Sequence, residues 1–148
     1  MISGLTLLSR ITGLGLQDWI FQTGFVADED LPVLYSAAAL HVMPSRYEGF
    51  GLSVLEAMAC GTPVVCSNTS SLPEVAGQAA LLVPPDDVRG WAEAISRLWN
   101  DDLLRAQLRK RGLAQAKTFT WENAARKTLE IYEMVVGSTI GKAQVPIP

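Results

Sequence analysis

The sequence predicts an α/β fold, a Rossmann-like parallel sheet with helices on both faces. Three observations predict it. Short apolar runs rich in β-branched or aromatic residues recur at 19–24, 40–44, 63–67 and 79–83. Helix-spaced segments separate them, which is the order of a layered α/β structure. The runs are near-continuously apolar, as strands buried on both faces are. With 148 residues, 49% of them hydrophobic, the chain has room for one ordinary domain.

Taken in order, Leu5, Leu8 and Ile11, with Leu7 and Leu14, predict a helix over residues 3–12, ended by Gly13 and Gly15. Gly13-x-Gly15-x-x-Asp18 is not a dinucleotide fingerprint, because no strand precedes it and the third glycine is missing. Residues 19–24, Trp-Ile-Phe-Gln-Thr-Gly, read as a strand. Asp28-Glu29-Asp30-Leu31-Pro32 starts a helix that runs to about Ala38, with an acidic cap and an early proline. Residues 40–44 form a buried strand closed by Pro44, and 45–49 a loop. Residues 52–59 form a short helix that Gly61 terminates. Residues 63–67 and 79–83 are the third and fourth strands. Asp86 and Asp87 cap a helix reaching about Trp99, with Trp91, Ala94, Ile95, Leu98 and Trp99 as its apolar stripe. Asp101 caps a second helix through Lys117. Thr120 and Asn123 offer a cap and a partial capping box for a third, reaching about Val136. Residues 1–136 therefore read as one unit, and the aperiodic 137–148 as a loose tail.

Composition narrows the function classes. Charged residues are 18%, and twelve Lys plus Arg stand against fifteen Asp plus Glu, for a net charge of −3. Such a chain is neither a disordered segment nor a basic nucleic-acid or anionic-membrane binder. Two cysteines, Cys60 and Cys66, are too few for a disulfide framework and read as reduced, buried small hydrophobes. The single histidine, His41, lies in an apolar run and reads as a packed strand residue. No stretch has the positive n-region of a signal peptide or the length of a membrane span, so the expected compartment is cytoplasmic.

Chemistry concentrates in residues 44–58, Pro-Ser-Arg-Tyr-Glu-Gly-Phe-Gly-Leu-Ser-Val-Leu-Glu-Ala-Met. This stretch follows a strand and runs into a helix start. Exposed N–H groups and the positive end of the helix dipole make such a start an anion site, with phosphate as its natural guest. Glu48 and Glu56 bracket Gly49 and Gly51. Carboxylates near a phosphate are best used on neutral hydroxyls of a sugar or ribose. A diphosphate between two polyols describes a nucleotide sugar. Taken alone, Glu48 could equally cap the loop, Glu56 could be a solvated helix residue, and Gly-x-Gly is common in turns.

The pattern Pro44-Ser45-x-x-Glu48-Gly49-Phe50-Gly51-Leu52-x-Val54-Leu55-Glu56-Ala57-Met58-Ala59-x-Gly61-Thr62-Pro63-Val64-Val65 resembles the signature of group 1 glycosyltransferases, also called glycosyltransferase family 4. Gly24-Phe25-Val26, Leu31-Pro32-x-Leu34-Tyr35-x-x-Ala38 and Ser71-Leu72-Pro73-Glu74-Val75-Ala76-Gly77 extend the resemblance, which runs from Leu16 to Tyr132. Ser53 stands where the family usually has proline. The resemblance implies a retaining enzyme of GT-B architecture, with two Rossmann-like domains, of which this chain is part of the C-terminal, donor-binding one. It implies that Glu48 meets the donor sugar near its anomeric carbon and that Gly49, Phe50, Gly51 and Leu52 meet the sugar and diphosphate. It implies that Glu56 holds the ribose hydroxyls and that Gly24, Phe25 and Val26 lie against the base. Thr69-Ser70-Ser71 and Glu74 match a neighbouring loop, and a helix cap with a solvated carboxylate describes them equally well.

No metal or cofactor is implied beyond the nucleotide-sugar substrate. The family's diphosphate-gripping Arg and Lys would precede residue 1, and Arg10 and Arg46 do not fit that position. The expected partners are a nucleotide sugar and an N-terminal acceptor domain, through which peripheral membrane contact could occur. No nucleic acid is expected. If residues 19–24 are the third strand of such a sheet, they either pair directly with 40–44 or leave edges that invite self-association. The alternatives are a non-catalytic nucleotide-sugar-binding module completed by another chain and, more distantly, a glycan phosphorylase or sugar-nucleotide epimerase.

Overall fold

The computed structural model describes residues 4–139. The chain divides at Leu31/Pro32 into two compact units. In the first, α1 spans Gly4–Gly13. The chain then turns through Gly15, whose φ is +66°. Residues 19–24 are not a strand, contrary to the reading of their aromatic and β-branched content. Trp19 and Phe21 are 81% and 86% exposed. Such residues favour a strand only when neighbours pack against them, and here they lack that burial. Direct pairing of 19–24 with 40–44 is therefore not found.

The second unit carries the sheet. Its elements are α2 (Leu31–Ala37), β1 (His41–Met43), α3 (Leu52–Ala59), β2 (Val64–Ser67), α4 (Leu72–Ala76), β3 (Ala80–Val83), α5 (Val88–Asn100), α6 (Asp102–Ala116) and α7 (Trp121–Thr139). The expected helix 28–38 starts later, at Leu31, because Asp28-Glu29-Asp30 form a turn ahead of it. Helix α7 continues three residues past the expected end, so Gly137 belongs to it. The rest of the expected tail, 140–148, lies outside the described residues.

The three strands are parallel in the order β1-β2-β3. His41 pairs with Val64, and Val64 with Ala80. Every residue of the central strand β2 is buried, as its unbroken apolar run requires. Side chains alternate between two cores. Met43, Val64, Cys66 and Ala80 join Val54, Ala57, Met58, Leu72 and Val75 on one face. Val42, Val65, Leu81 and Val83 join Trp91, Leu98 and Leu108 on the other. Helices thus cover both faces, as predicted. Burial pushes the Cys66 thiol up to about 12. Both cysteines are free, and Cys60 is half-buried.

Three of the caps named from the sequence are formed. Asp87 accepts from the Gly90 N–H at 2.9 Å and Asp101 from that of Leu104 at 2.9 Å. The Thr120 hydroxyl accepts from the Asn123 N–H at 3.1 Å. Helix α6 lies close on α3, because a Cβ on Gly112 would come within 3.2 Å of Met58 Cγ.

Candidate functional site

The site is built where β1 ends and α3 begins. Pro44 closes the strand, and the loop that follows carries Glu48. Gly51, just before α3, has φ +100°, a conformation that a side chain strongly disfavours. A Cβ there would also stand 2.7 Å from Leu72 Cδ2 of α4. Gly51 therefore lets the loop turn sharply into α3 against α4. Helix α3 has no acidic residue in its first turn and no side-chain cap. The Val54 N–H donates to the Gly51 carbonyl at 3.1 Å, and the N–H groups of Leu52 and Ser53 ahead of it have no intrahelical acceptor, next to the positive end of the dipole.

The Glu48 loop is held by hydroxyls. Ser45 Oγ donates to Glu48 Oε1 at 2.7 Å and so orients the half-buried carboxylate. Three hydroxyls of the β2–α4 connection hold the backbone. Thr69 Oγ1 donates to the Arg46 carbonyl at 3.3 Å, and Ser70 Oγ accepts from the Glu48 N–H at 3.0 Å. Ser71 Oγ donates to the carbonyls of Glu48 at 3.0 Å and of Phe50 at 2.8 Å. Ser71 precedes α4 but makes no capping bond, so the cap reading of this segment is corrected: its hydroxyl serves the Glu48 loop. Ser70 is, among the described residues, the non-glycine residue at positive φ, +53°. Arg46, which ends the gripped backbone, ion-pairs through its side chain with exposed Asp86 at 2.5 Å.

Glu56 projects from α3 and is exposed. Tyr35 of α2 donates its hydroxyl to Glu56 Oε2 at 3.1 Å. The Tyr35 carbonyl accepts from Thr62 Oγ1, and its ring meets His41 edge-on with centroids 5.5 Å apart. Burial, then the Glu56 hydrogen bond and charge, push the Tyr35 hydroxyl up to about 12, so it is a donor at every physiological pH. His41 is held below its ordinary 6.5, mainly by burial and against the pull of Glu56. Its Nε2 is buried without a hydrogen-bond partner. The reading of His41 as a packed strand residue fits this environment.

An apolar cavity of about 480 Å³ opens beside the loop, lined by Phe50, Leu52, Leu55, Phe119, Thr120 and Trp121. Phe50 and Phe119 meet edge to face with centroids 6.0 Å apart. Among the described residues, no three His, Cys, Asp or Glu side chains converge as a metal set.

The structure thus gathers Glu48, Gly49, Phe50, Gly51, Leu52 and Glu56 around one strand-to-helix junction. Gly24, Phe25 and Val26 belong to the first unit, where Gly24 has φ +68° and Phe25 is 93% exposed. The sequence alone assigns Tyr35 no role. Its signal there was a hydroxyl-bearing residue at the end of a helix, and nothing local says that it meets a carboxylate 21 positions away.

Comparison with known proteins adds to this geometry. A family model described as glycosyl transferases group 1 matches residues 5–115. The O-antigen chain mannosyltransferase B of Escherichia coli is 52% identical over 119 residues, 80% of this chain and 31% of that protein. A D-inositol 3-phosphate glycosyltransferase of a Nocardioides species is 42% identical over 109 residues, 72% of this chain and 24% of that protein. Among solved structures, the sucrose-phosphate synthase of Thermosynechococcus elongatus superposes with a TM-score of 0.78 at 35% identity. That match covers 90% of this chain and 34% of the other. The Anabaena protein HepE, solved in complex with UDP and glucose, has a TM-score of 0.71 at 27% identity, over 88% of this chain and 35% of that one. The chain spans about a third of the length of the mannosyltransferase and of the sucrose-phosphate synthase. No helix among the described residues is long and apolar enough to cross a membrane.

Proposed function

The chain belongs to the group 1 glycosyltransferases, and from that we propose that it is the donor half of a retaining transfer from a nucleotide-diphosphate sugar to a glycan or lipid acceptor. The observation that carries the reading is the junction of β1 and α3. An anion-receptive helix start there is flanked by a fixed carboxylate in the loop and a second one on the helix. In this reading the diphosphate lies over the α3 N-terminus, met by the backbone of Gly49, Phe50, Gly51 and Leu52. Glu48 faces the anomeric carbon and Glu56 accepts from the ribose hydroxyls. Gly24, Phe25 and Val26 lie against the base. The acceptor hydroxyl attacks the anomeric carbon on the face the diphosphate leaves. The bond from that carbon to the phosphate oxygen breaks, and the acceptor proton passes to the departing phosphate. Glu48 stabilises the positive charge that builds on the sugar. The reaction so written uses no metal. Several relatives are mannosyltransferases, so mannose is the first sugar to test.

Calorimetric titration of the chain with UDP-, GDP- and ADP-sugars tests the donor site. One nucleotide series should bind, and Glu56→Ala should weaken it by about tenfold or more, the weight of hydrogen bonds to a charged group. Absence of binding by every series would overturn the reading. In a protein that joins this chain to an acceptor domain, Glu48→Ala should lower kcat by about 10²- to 10³-fold with little change in KM. Unchanged turnover would remove Glu48 from the chemistry. Donor binding with no transfer in that joined protein would favour the non-catalytic module instead.

A further inference from the structure

We propose that Tyr35 is a positioning residue for Glu56, and through it sets the preference of this site for ribose over 2′-deoxyribose. The proposal rests on the reading of Glu56 as the carboxylate that meets the ribose. An exposed glutamate on a helix ordinarily samples several rotamers, and a diol gains little from an acceptor it must first immobilise. Tyr35 removes that freedom. Its partly buried ring packs against the cluster that holds Val54, Met58 and Val64. Thr62 Oγ1 anchors its carbonyl, and the edge of His41 stops the ring from swinging. Its O–H is aimed at Glu56 Oε2, 3.1 Å away.

A carboxylate has about four lone-pair sites on two oxygens. With one engaged by Tyr35, Oε2 is held at one position, and its second lone pair and those of Oε1 are left to accept from hydroxyls of the ligand. A vicinal diol, which presents two donors about one carboxylate width apart, suits an acceptor held in this way. A sugar lacking the 2′-hydroxyl forfeits one charge-assisted bond. A freely rotating Glu56 would discriminate less, because it could turn to satisfy whichever hydroxyl remained.

The experiment is titration of the full chain with UDP, GDP and ADP and with their 2′-deoxy counterparts. Wild type, Tyr35→Phe and Glu56→Gln are compared, with thermal unfolding run on each. Tyr35→Phe keeps the ring and its packing, so its unfolding midpoint should match wild type. For the diphosphate that binds best, wild type should prefer the ribo form by about tenfold. Tyr35→Phe should cut that preference to about threefold or less and leave affinity for the 2′-deoxy form nearly unchanged. Glu56→Gln should erase the preference. If Glu56→Gln erases it and Tyr35→Phe retains it, Glu56 meets the ribose but Tyr35 does not position it, and the proposal is overturned alone. If Glu56→Gln retains the preference, or wild type shows none, the ribose reading of Glu56 falls and the proposal falls with it.

Discussion

At the scale of single residues, Ser70 sets two effects against each other. Its φ of +53° costs a side-chain-bearing residue about 1–2 kcal/mol relative to glycine, while its Oγ accepts from the Glu48 N–H. A hydrogen bond of this kind contributes about 1 kcal/mol. Ser70→Gly relieves the strain and loses the bond, so its stability should lie within about 1 kcal/mol of wild type. Ser70→Ala loses the bond and keeps the strain, so it should be destabilised by about 1 kcal/mol. In both, the Glu48 amide should exchange faster with solvent deuterium. Urea titration and amide exchange measure the pair, and unchanged exchange at Glu48 would show that the hydroxyl does not hold the loop. His41 gives a pH dependence. Its folded pKa is depressed, so between that value and 6.5 an unfolded chain binds a proton that the native chain does not. Stability contributed by the neutral imidazole is therefore full above 6.5 and is lost as pH falls through the folded value. The unfolding midpoint should drop on acidification below 6.5, and more steeply than in His41→Gln. Equal slopes in the two proteins would contradict it. Of the site, the two glutamates and the glycines were legible because their spacing is local. The Tyr35 contact and the part the Thr69-Ser70-Ser71 hydroxyls play in holding the loop were not legible, because they reach their partners only after the sheet has brought segments 21 to 23 positions apart together.

At the scale of elements, what could be read from the sequence depended on whether the signal was local. Asp87, Asp101 and Thr120 announce helix starts by chemistry confined to one turn, and each makes the expected bond. Helix α4 has no sequence signal beyond the possible cap at Thr69-Ser70-Ser71, because five residues hold no periodicity. Residues 19–24 were misread for the opposite reason. Their composition is that of a strand, but a strand exists only with a partner, and composition says nothing of partners. Two substitutions separate a local device from a packed one. Asp101→Ala removes a cap from α6 and should cost about 1 kcal/mol. Gly51→Ala imposes a side chain at φ +100° and drives a methyl toward Leu72 Cδ2, so it should cost more, about 2 kcal/mol or above. It should also weaken donor binding, because it moves the junction between the Glu48 loop and α3. Denaturant midpoints for both variants, with donor titration on Gly51→Ala, check the ordering. A Gly51→Ala protein as stable as Asp101→Ala, with unchanged donor affinity, would contradict the role given to this turn.

At the scale of the whole molecule, both hydrophobic clusters lie in one of the two units. Both hydrophobic clusters are made of residues from Tyr35 to Phe119, and all three strands lie among them. None of these residues belongs to the unit that ends at Leu31. A chain that starts at Pro32 would lose buried Ile11 but keep every residue of both clusters, and proline is well suited to the first turn of α2. That chain should keep its far-UV circular dichroism and unfold in one cooperative transition. Its midpoint should lie within about 5 °C of the full chain, which corresponds to about 1 kcal/mol in a domain of this size. Loss of the cooperative transition would show that the first unit is needed to fold the second. Binding should respond differently. In the proposed reading Gly24, Phe25 and Val26 lie against the nucleobase, so the shortened chain should lose affinity for the nucleotide that the full chain selects. Its discrimination among UDP, GDP and ADP should shrink, while Glu48 and Glu56 remain in place. A folded, shortened chain that still selects one base as sharply as the full chain would move base recognition out of residues 24–26 and into the unit that carries the sheet.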